Sequence, residues 1–184
     1  MRVGISLLTL LPGEVGGAET YARGLTRARA EIGTLDYVAF TPPAAPGAGE
    51  GLPEAPVPEY HHVRKPRERA LAMALAAARP GRIRRRLAGV DVLHYALTVA
   101  VPKVDVPRVV TIFDLQHLDL PELFGRAERV YRRWAYDGSA RRADAVVVNS
   151  QFVRRSVISH LGVAPERVHT IPLGLDHSRF APGD

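Results

Sequence analysis

Residues 145–171 read AVVVNSQFVRRSVISHLGVAPERVHTI. The unbroken apolar run at 145–148 is typical of a strand that is buried on both faces. Ser150 is suited to cap the helix that follows, and Gly162 is suited to end it. A second apolar strand is predicted at 168–171. The segment is therefore a strand–helix–strand unit, the kind of connection that joins neighbouring strands of a parallel sheet.

The same alternation extends over the rest of the chain. Residues 42–58, dominated by proline, glycine and alanine, predict a surface loop, as do residues 114–124. Further strands are predicted at 3–8, 37–40, 60–63, 92–95 and 109–113, and helices at 18–32, 66–79, 82–87 and 125–142. This order favours an α/β fold, a doubly wound and mainly parallel sheet with helices on both faces.

Composition narrows the classes of function. The chain has 184 residues and no cysteine, which excludes disulfide scaffolds, zinc–thiolate sites and cysteine nucleophiles. No apolar run approaches the roughly 20 residues that span a bilayer. The net charge of +6 favours anionic partners such as phosphates, nucleic acid or an anionic membrane surface. Nucleic acid is disfavoured because few aromatic residues interleave with the arginines and no known binding module is present.

In an open α/β sheet, ligands bind beyond the carboxyl ends of the strands. Gly16 and Gly17 lie between the first strand and the first helix, where free backbone amides favour an anion. The spacing of the glycines matches neither the dinucleotide fingerprint nor a P-loop. The alternative is a glycine-rich turn that only reverses the chain.

Polar residues also follow two other strands. Asp114 and His117 come after the strand at 109–113, where they could meet a substrate. Asp114 could instead hold a local turn, and His117 could be an ordinary surface histidine. His94 ends another strand, where a histidine is often a hydrogen-bonded core residue.

A basic cluster follows the Pro80-Gly81 break. It suggests attraction to anionic lipid headgroups, with a solvated helix face as the alternative. Its members are Arg82, Arg84, Arg85 and Arg86.

Three segments together resemble the amino-terminal domain of family-4 glycosyltransferases, which have the GT-B architecture. Their order and spacing cover nearly the whole chain, and a looser match lies at 91–94. The segments are GGAE at 16–19, VVTIFDL at 109–115 with LPELF at 120–124, and ADAVVVNSQF at 143–152 with V163, PERV at 165–168 and IPLGLD at 171–176.

The resemblance implies retaining transfer of a sugar from a nucleotide-sugar donor to an acceptor hydroxyl, without a metal ion or other cofactor. It implies that this domain mainly holds the acceptor. Gly16 and Gly17 would lie near the donor diphosphate, while Asp114 and His117 would orient the acceptor. Phe113 stands where the family often has histidine. The remaining substrate contacts would come from Glu19, His94, Phe113, Asn149 and Ser150.

The resemblance also sets expectations for domain organisation. Residues 1–174 would form the Rossmann-like amino-terminal half of a GT-B fold, and residues 175–184 would begin an interdomain linker. The donor domain, with its paired glutamates, would be absent, so we expect the 184-residue fragment to be inactive alone. The expected location is cytoplasmic, with peripheral contact to the inner face of a membrane. Two alternatives are a noncatalytic basic module that binds a membrane or protein partner, and a nucleotide-binding regulator.

Overall fold

Short runs of branched apolar residues form the strands of one parallel sheet. The computed structural model describes residues 1–60 and 80–175. The strands within these ranges are β1 Arg2–Ser6, β2 Asp36–Thr41, β3 Glu54–Pro56, β4 Val92–Tyr95, β5 Arg108–Ile112, β6 Ala145–Val148 and β7 Val168–Thr170. Every pairing between them is parallel, so the predicted fold class is confirmed.

The strand order is β3-β2-β1-β4-β5-β6-β7. The chain runs outward from β1 to β3 and then returns, so that β4 pairs with the free side of β1. In this register Ile5 lies opposite both Ala39 and His94. A reversal of strand order between two neighbouring strands opens a crevice at their carboxyl ends. In this protein the rule predicts the crevice between the loops that follow β1 and β4.

Helices cover both faces of the sheet. Ala22 of the first helix packs with Ile5 and Ala39 on one face. Ile83 and Val157 pack with the apolar residues of the other face. The helices are α1 Gly17–Ile32, α2 Pro80–Arg86, α3 Gln116–Asp119, α4 Arg126–Arg132, α5 Gly138–Arg142 and α6 Gln151–Leu161, with a π-helical segment Arg133–Asp137 joining α4 to α5 and 3₁₀ turns at Pro121–Leu123 and Pro165–Arg167.

Helix α6 begins and ends as the sequence predicts. The Ser150 hydroxyl accepts a hydrogen bond from the Val153 amide at 3.2 Å. Gly162 closes the helix with a φ of 64°, in the left-handed region that glycine enters without a steric penalty. The helix is therefore stabilised at both ends by local chemistry visible in the sequence.

The segment 42–58 differs from its prediction as a surface loop. It contains β3, and its small or apolar side chains Ala45, Ala48 and Leu52 are buried in the core. The Glu54 carboxylate accepts a hydrogen bond from the Gly49 amide at 2.6 Å. Alanine is small enough to let the backbone pack closely against the core. A segment rich in alanine, glycine and proline is nevertheless predicted as a surface loop when composition alone is considered.

Two further predictions need adjustment. The predicted loop at 114–124 contains α3 and a 3₁₀ turn, and the long helix at 125–142 is interrupted by its π-helical segment. The strand predicted at 60–63 falls almost entirely outside the described residues. The helix at 66–79 and nearly all of the linker at 175–184 also lie outside them.

Within residues 1–60 and 80–175, no helix is long and apolar enough to cross a bilayer.

Candidate functional site

The predicted site residues follow strands that end at one edge of the sheet. Ser6 of β1 pairs with Tyr95 of β4, and Ile112 of β5 pairs with Val148 of β6. Since the strands are parallel, the loops after β1, β5 and β6 all leave from this edge. The segments that carry Gly16, Asp114 and Asn149 therefore share one side of the molecule.

The glycine segment opens α1 with its surface uncovered. Gly16 has φ 56° and ψ −132°, a backbone conformation that residues with a side chain rarely adopt. A Cβ atom added at Gly16 or Gly17 would meet no heavy atom within 4 Å. A ligand could therefore approach this backbone closely, and the positive end of the helix dipole favours an anion there.

Glu19 supports this segment from within the chain. Its Oε2 accepts a hydrogen bond from the Gly13 amide at 2.8 Å, and its Oε1 pairs with Arg23 at 2.9 Å. The hydrogen bond from Gly13, assisted by Arg23, lowers the pKa of the carboxyl group. Both oxygens are thus engaged in holding the loop. The predicted substrate contact of Glu19 stays a prediction.

Arg23 also connects α1 to the loop after β2. It lies 3.0 Å from one carboxylate oxygen of Glu50, and Arg27 lies 2.7 Å from the other. The two hydrogen bonds lower the pKa of Glu50. We name this chain of contacts, from Gly13 through Glu19, Arg23 and Glu50 to Arg27, the α1 brace.

Tyr21 connects the glycine segment to the end of β5. Its ring meets the ring of Phe113 edge to face, with 5.1 Å between centroids. Its hydroxyl lies 3.5 Å from the Thr111 hydroxyl. Tyr21 is one helical turn after Gly17, so this contact brings the start of α1 beside the segment of Phe113 and Asp114.

The Thr111 hydroxyl also lies 2.9 Å from Nε2 of His94. Burial, with the positive charge of Arg29, lowers the pKa of His94 to about 4. The imidazole is therefore neutral at pH 7 and engaged with Thr111. These contacts favour the alternative of a hydrogen-bonded core histidine, and a substrate contact by His94 stays a prediction.

Asp114 is half-buried at the turn from β5 into α3. Its Oδ1 accepts a hydrogen bond from the Gln116 amide at 3.2 Å. This is the local turn that the sequence allowed as an alternative. The turn fixes the carboxylate at the edge of the sheet, close to Phe113, where it remains a candidate to contact an acceptor.

His117 lies deeper than predicted. Its side chain is fully buried, and its Nε2 lies 2.8 Å from Oδ1 of Asp137, which is itself buried. Its Nδ1 has no hydrogen-bond partner among the described residues. The pair joins α3 to the π-helical segment, so the contacts of His117 suit a positioning role better than direct contact with an acceptor.

The pair Asn149-Ser150 follows β6. Ser150 uses its hydroxyl to cap α6. The side-chain oxygen of Asn149 is buried and has no hydrogen-bond partner within the described ranges. Since buried polar atoms are normally paired, this oxygen could accept a hydrogen bond from a ligand hydroxyl.

The basic cluster of α2 is largely engaged in local contacts. Arg84 lies 3.2 Å from the Asp105 carboxylate, and Arg86 lies 2.8 Å from the Glu59 carboxylate. Arg85 donates to the Gly81 carbonyl at 3.2 Å. The side chain of Arg82 lies outside the described part of the structure. These contacts favour the solvated helix face, and the membrane role of this cluster stays a prediction.

Sequence reasoning missed Tyr21 and Thr111 as the residues that join the loops. Tyr21 lies among the apolar residues of α1, and Thr111 lies inside the apolar run of β5. Both carry a hydroxyl within an otherwise apolar pattern, which was the available signal. Asp137, the partner of His117, gave a similar signal as a single carboxylate in the second half of a helix.

Comparison with known proteins places the chain. The model of Glycosyltransferase Family 4 matches residues 15–179. No curated protein matches significantly. A crystal structure of Anabaena HepE in complex with UDP and glucose superposes with a TM-score of 0.58 at 14% identity, covering 97% of this chain and 46% of that one. A glycosyltransferase structure from Rickettsia africae gives 0.49 at 12% identity, covering 98% of this chain and 45% of that one.

The chain thus spans about half the length of the solved structures that it matches. At such low identity, the likeness to the Anabaena protein shows the fold. The family match covers most of the chain, including the glycine segment and the loops after β5 and β6. The chain belongs to glycosyltransferase family 4.

Proposed function

We propose that this domain is the acceptor-side half of a retaining glycosyltransferase that uses a nucleotide-sugar donor. Gly16 and Gly17 would face the donor diphosphate, and the loop after β5 would face the acceptor. The presence of UDP and glucose in the Anabaena neighbour is consistent with a nucleotide sugar as donor. The proposal includes a second, donor-binding domain in the full-length protein.

One observation carries the proposal. The start of α1, open at Gly16 and Gly17, lies beside the end of β5 through the contact of Tyr21 with Phe113. The proposed anion site and the carboxylate-bearing loop are thereby neighbours at one sheet edge. Sugar transfer from a diphosphate needs these two sites next to each other, because the bond to the acceptor forms where the bond to the diphosphate breaks.

The proposed reaction is a front-face displacement. The bond between the anomeric carbon and the diphosphate oxygen breaks, while a bond from that carbon to the acceptor oxygen forms on the same face. The acceptor proton passes to the departing diphosphate, so no protein nucleophile is needed. Backbone amides at Gly16 and Gly17 would stabilise the growing negative charge, because they are held in place before the reaction.

Asp114 is the proposed acceptor contact. Its turn holds one oxygen on the Gln116 amide, and this hydrogen bond fixes the direction of the carboxylate. A carboxylate that holds the acceptor hydroxyl would accelerate sugar transfer mainly by positioning that hydroxyl for the reaction. His117, paired with Asp137, would act through α3 by holding the loop that carries Asp114.

Substitution of Gly17 tests the proposal in the full-length protein. Gly17→Val introduces a side chain into the open space above the amides, so kcat should fall by about 100-fold, the loss typical of one anion-hole donor. Gly24→Val is the matched control, because Gly24 is exposed on the same helix and a Cβ there also meets nothing within 4 Å. Steady-state kinetics should show near-normal turnover for the control. Equal turnover of both variants would remove the glycine segment from the mechanism.

A further inference from the structure

The first two turns after Gly125 form a helix with little support from the rest of the domain. None of the residues of α4 is buried. The side chain of Val130 is 69% exposed, Trp134 in the next turn is 56% exposed, and Leu123 just before the helix is 69% exposed. Large apolar side chains normally pack inward, so several exposed ones within one short stretch of chain indicate an interaction surface.

Arginines lie beside these apolar residues. Arg126, Arg129 and Arg133 recur at three- and four-residue spacing, as do Val130 and Trp134, so all five share one side of the helix. The three arginines and Val130 line a shallow depression of about 250 Å³. Within residues 1–60 and 80–175, none of the three guanidinium groups forms an ion pair or a hydrogen bond.

The neighbouring acidic residues do not neutralise this charge. Glu128 pairs with Arg132 at 3.0 Å, and Arg132 also lies over the ring of Phe124. Glu122 is exposed at the preceding turn. It supplies one negative charge beside three arginines that have no ion-pair partner in the described ranges. The surface therefore combines uncompensated positive charge with protruding apolar and aromatic side chains.

We propose that this surface docks on an anionic lipid membrane. A helix with arginine beside tryptophan and aliphatic residues suits the boundary between headgroups and acyl chains. Tryptophan is favoured there because its ring is apolar and its N–H can hydrogen-bond. Val130 and Trp134 are largely exposed beside the shallow depression, and a fluid lipid layer can adapt to such a surface without a preformed pocket.

This surface differs from the arginine cluster of α2, which the sequence suggested for the same partner. Arg84 and Arg86 of α2 face carboxylates within the chain, whereas Arg126, Arg129 and Arg133 face none among residues 1–60 and 80–175. Free positive charge gains more from an anionic surface than charge already compensated. The α2 arginines therefore supply a control with the same number of charges.

The 184-residue chain contains one tryptophan, so Trp134 is an internal probe. Vesicles of phosphatidylcholine mixed equally with phosphatidylglycerol should move its emission to shorter wavelength, and pure phosphatidylcholine vesicles should not. In co-sedimentation, Arg126→Gln/Arg129→Gln/Arg133→Gln should weaken partitioning by about 100-fold, since each charge near such a surface contributes about 1 kcal/mol. Trp134→Ser should weaken it as well.

The control variant is Arg84→Gln/Arg85→Gln/Arg86→Gln, which should keep most of the binding. Circular dichroism should show that all variants are folded, because the substituted side chains are largely exposed. An unchanged emission on anionic vesicles, or equal losses for the two triple variants, would overturn the proposal. A shift produced equally well by soluble polyglutamate would also overturn it, in favour of an acidic protein partner.

Discussion

His94 shows how one side chain in the sheet can make stability depend on pH. Burial and Arg29 hold its pKa in the folded protein at about 4, against a reference value of 6.5. Between about pH 6.5 and pH 4, His94 is therefore protonated in the unfolded chain but stays neutral in the folded protein. The resulting stability is fully present above the reference pKa and is lost as the pH falls toward 4.

We therefore predict that lowering the pH from 7 to about 4 reduces the free energy of unfolding through His94 by up to about 3 kcal/mol. The measurement is urea unfolding across this range, compared with His94→Gln, in which the decline should be smaller by that amount. His169→Gln, on the exposed side of β7, is the matched control and should keep the decline of the unaltered protein. The same pH dependence in all three proteins would contradict the assignment to His94.

At the scale of the element, α6 depends on its caps. Ser150 is both a candidate substrate contact and the N-cap of this helix. Ser150→Ala removes the acceptor for the Val153 amide and should lower the free energy of unfolding by about 1 kcal/mol. Ser150→Asp keeps a capping oxygen and should restore most of that loss in chemical denaturation.

The two substitutions also separate the roles of Ser150. If its hydroxyl only caps the helix, Ser150→Asp should also restore turnover in the full-length enzyme. Stable but slow Ser150→Asp protein would instead support direct contact with a substrate.

The strands and helices were largely predictable, whereas the contacts between them were not. Continuous apolar runs and the chemistry of Ser150 and Gly162 act locally, so the sequence predicts elements such as β6 and α6 directly. The burial of His117 against Asp137 depends on packing between residues 20 positions apart, and no local pattern reveals it. The packed segment at 42–58 was missed for the same reason.

The candidate site was predictable in its location rather than in its detail. Parallel strands end at one edge whatever their side chains, so Gly16, Asp114 and Asn149 could be assigned to the same side from sequence alone. Which groups face outward depends on packing, which directs His117 inward and links Tyr21 to Phe113.

At the scale of the whole molecule, the chain matches about half the length of the solved glycosyltransferase structures. The chain corresponds to 46% of the Anabaena structure that it matches. We predict that purified residues 1–184 do not transfer sugar from nucleotide-sugar donors, because the proposed reaction needs groups from a second domain. A sensitive product assay, with the full-length protein as the positive control, makes the measurement. Robust transfer by the fragment would refute the division of labour between two domains.

Calorimetry with nucleoside diphosphates complements that assay. We expect weak or undetectable binding to residues 1–184, since the glycine segment would contact only the diphosphate. Tight binding would favour the alternative of a nucleotide-binding regulator.

The α1 brace has a consequence for anyone redesigning this scaffold. By composition the segment after β2 looks expendable, yet its Glu50 is the counterion of both Arg23 and Arg27. A deletion that removed Glu50 would take one partner from Arg23, which also pairs with Glu19, the residue that holds the Gly13 amide. Transplanting the glycine turn into another protein would accordingly require moving residues 13–50, the span of the α1 brace, as one piece.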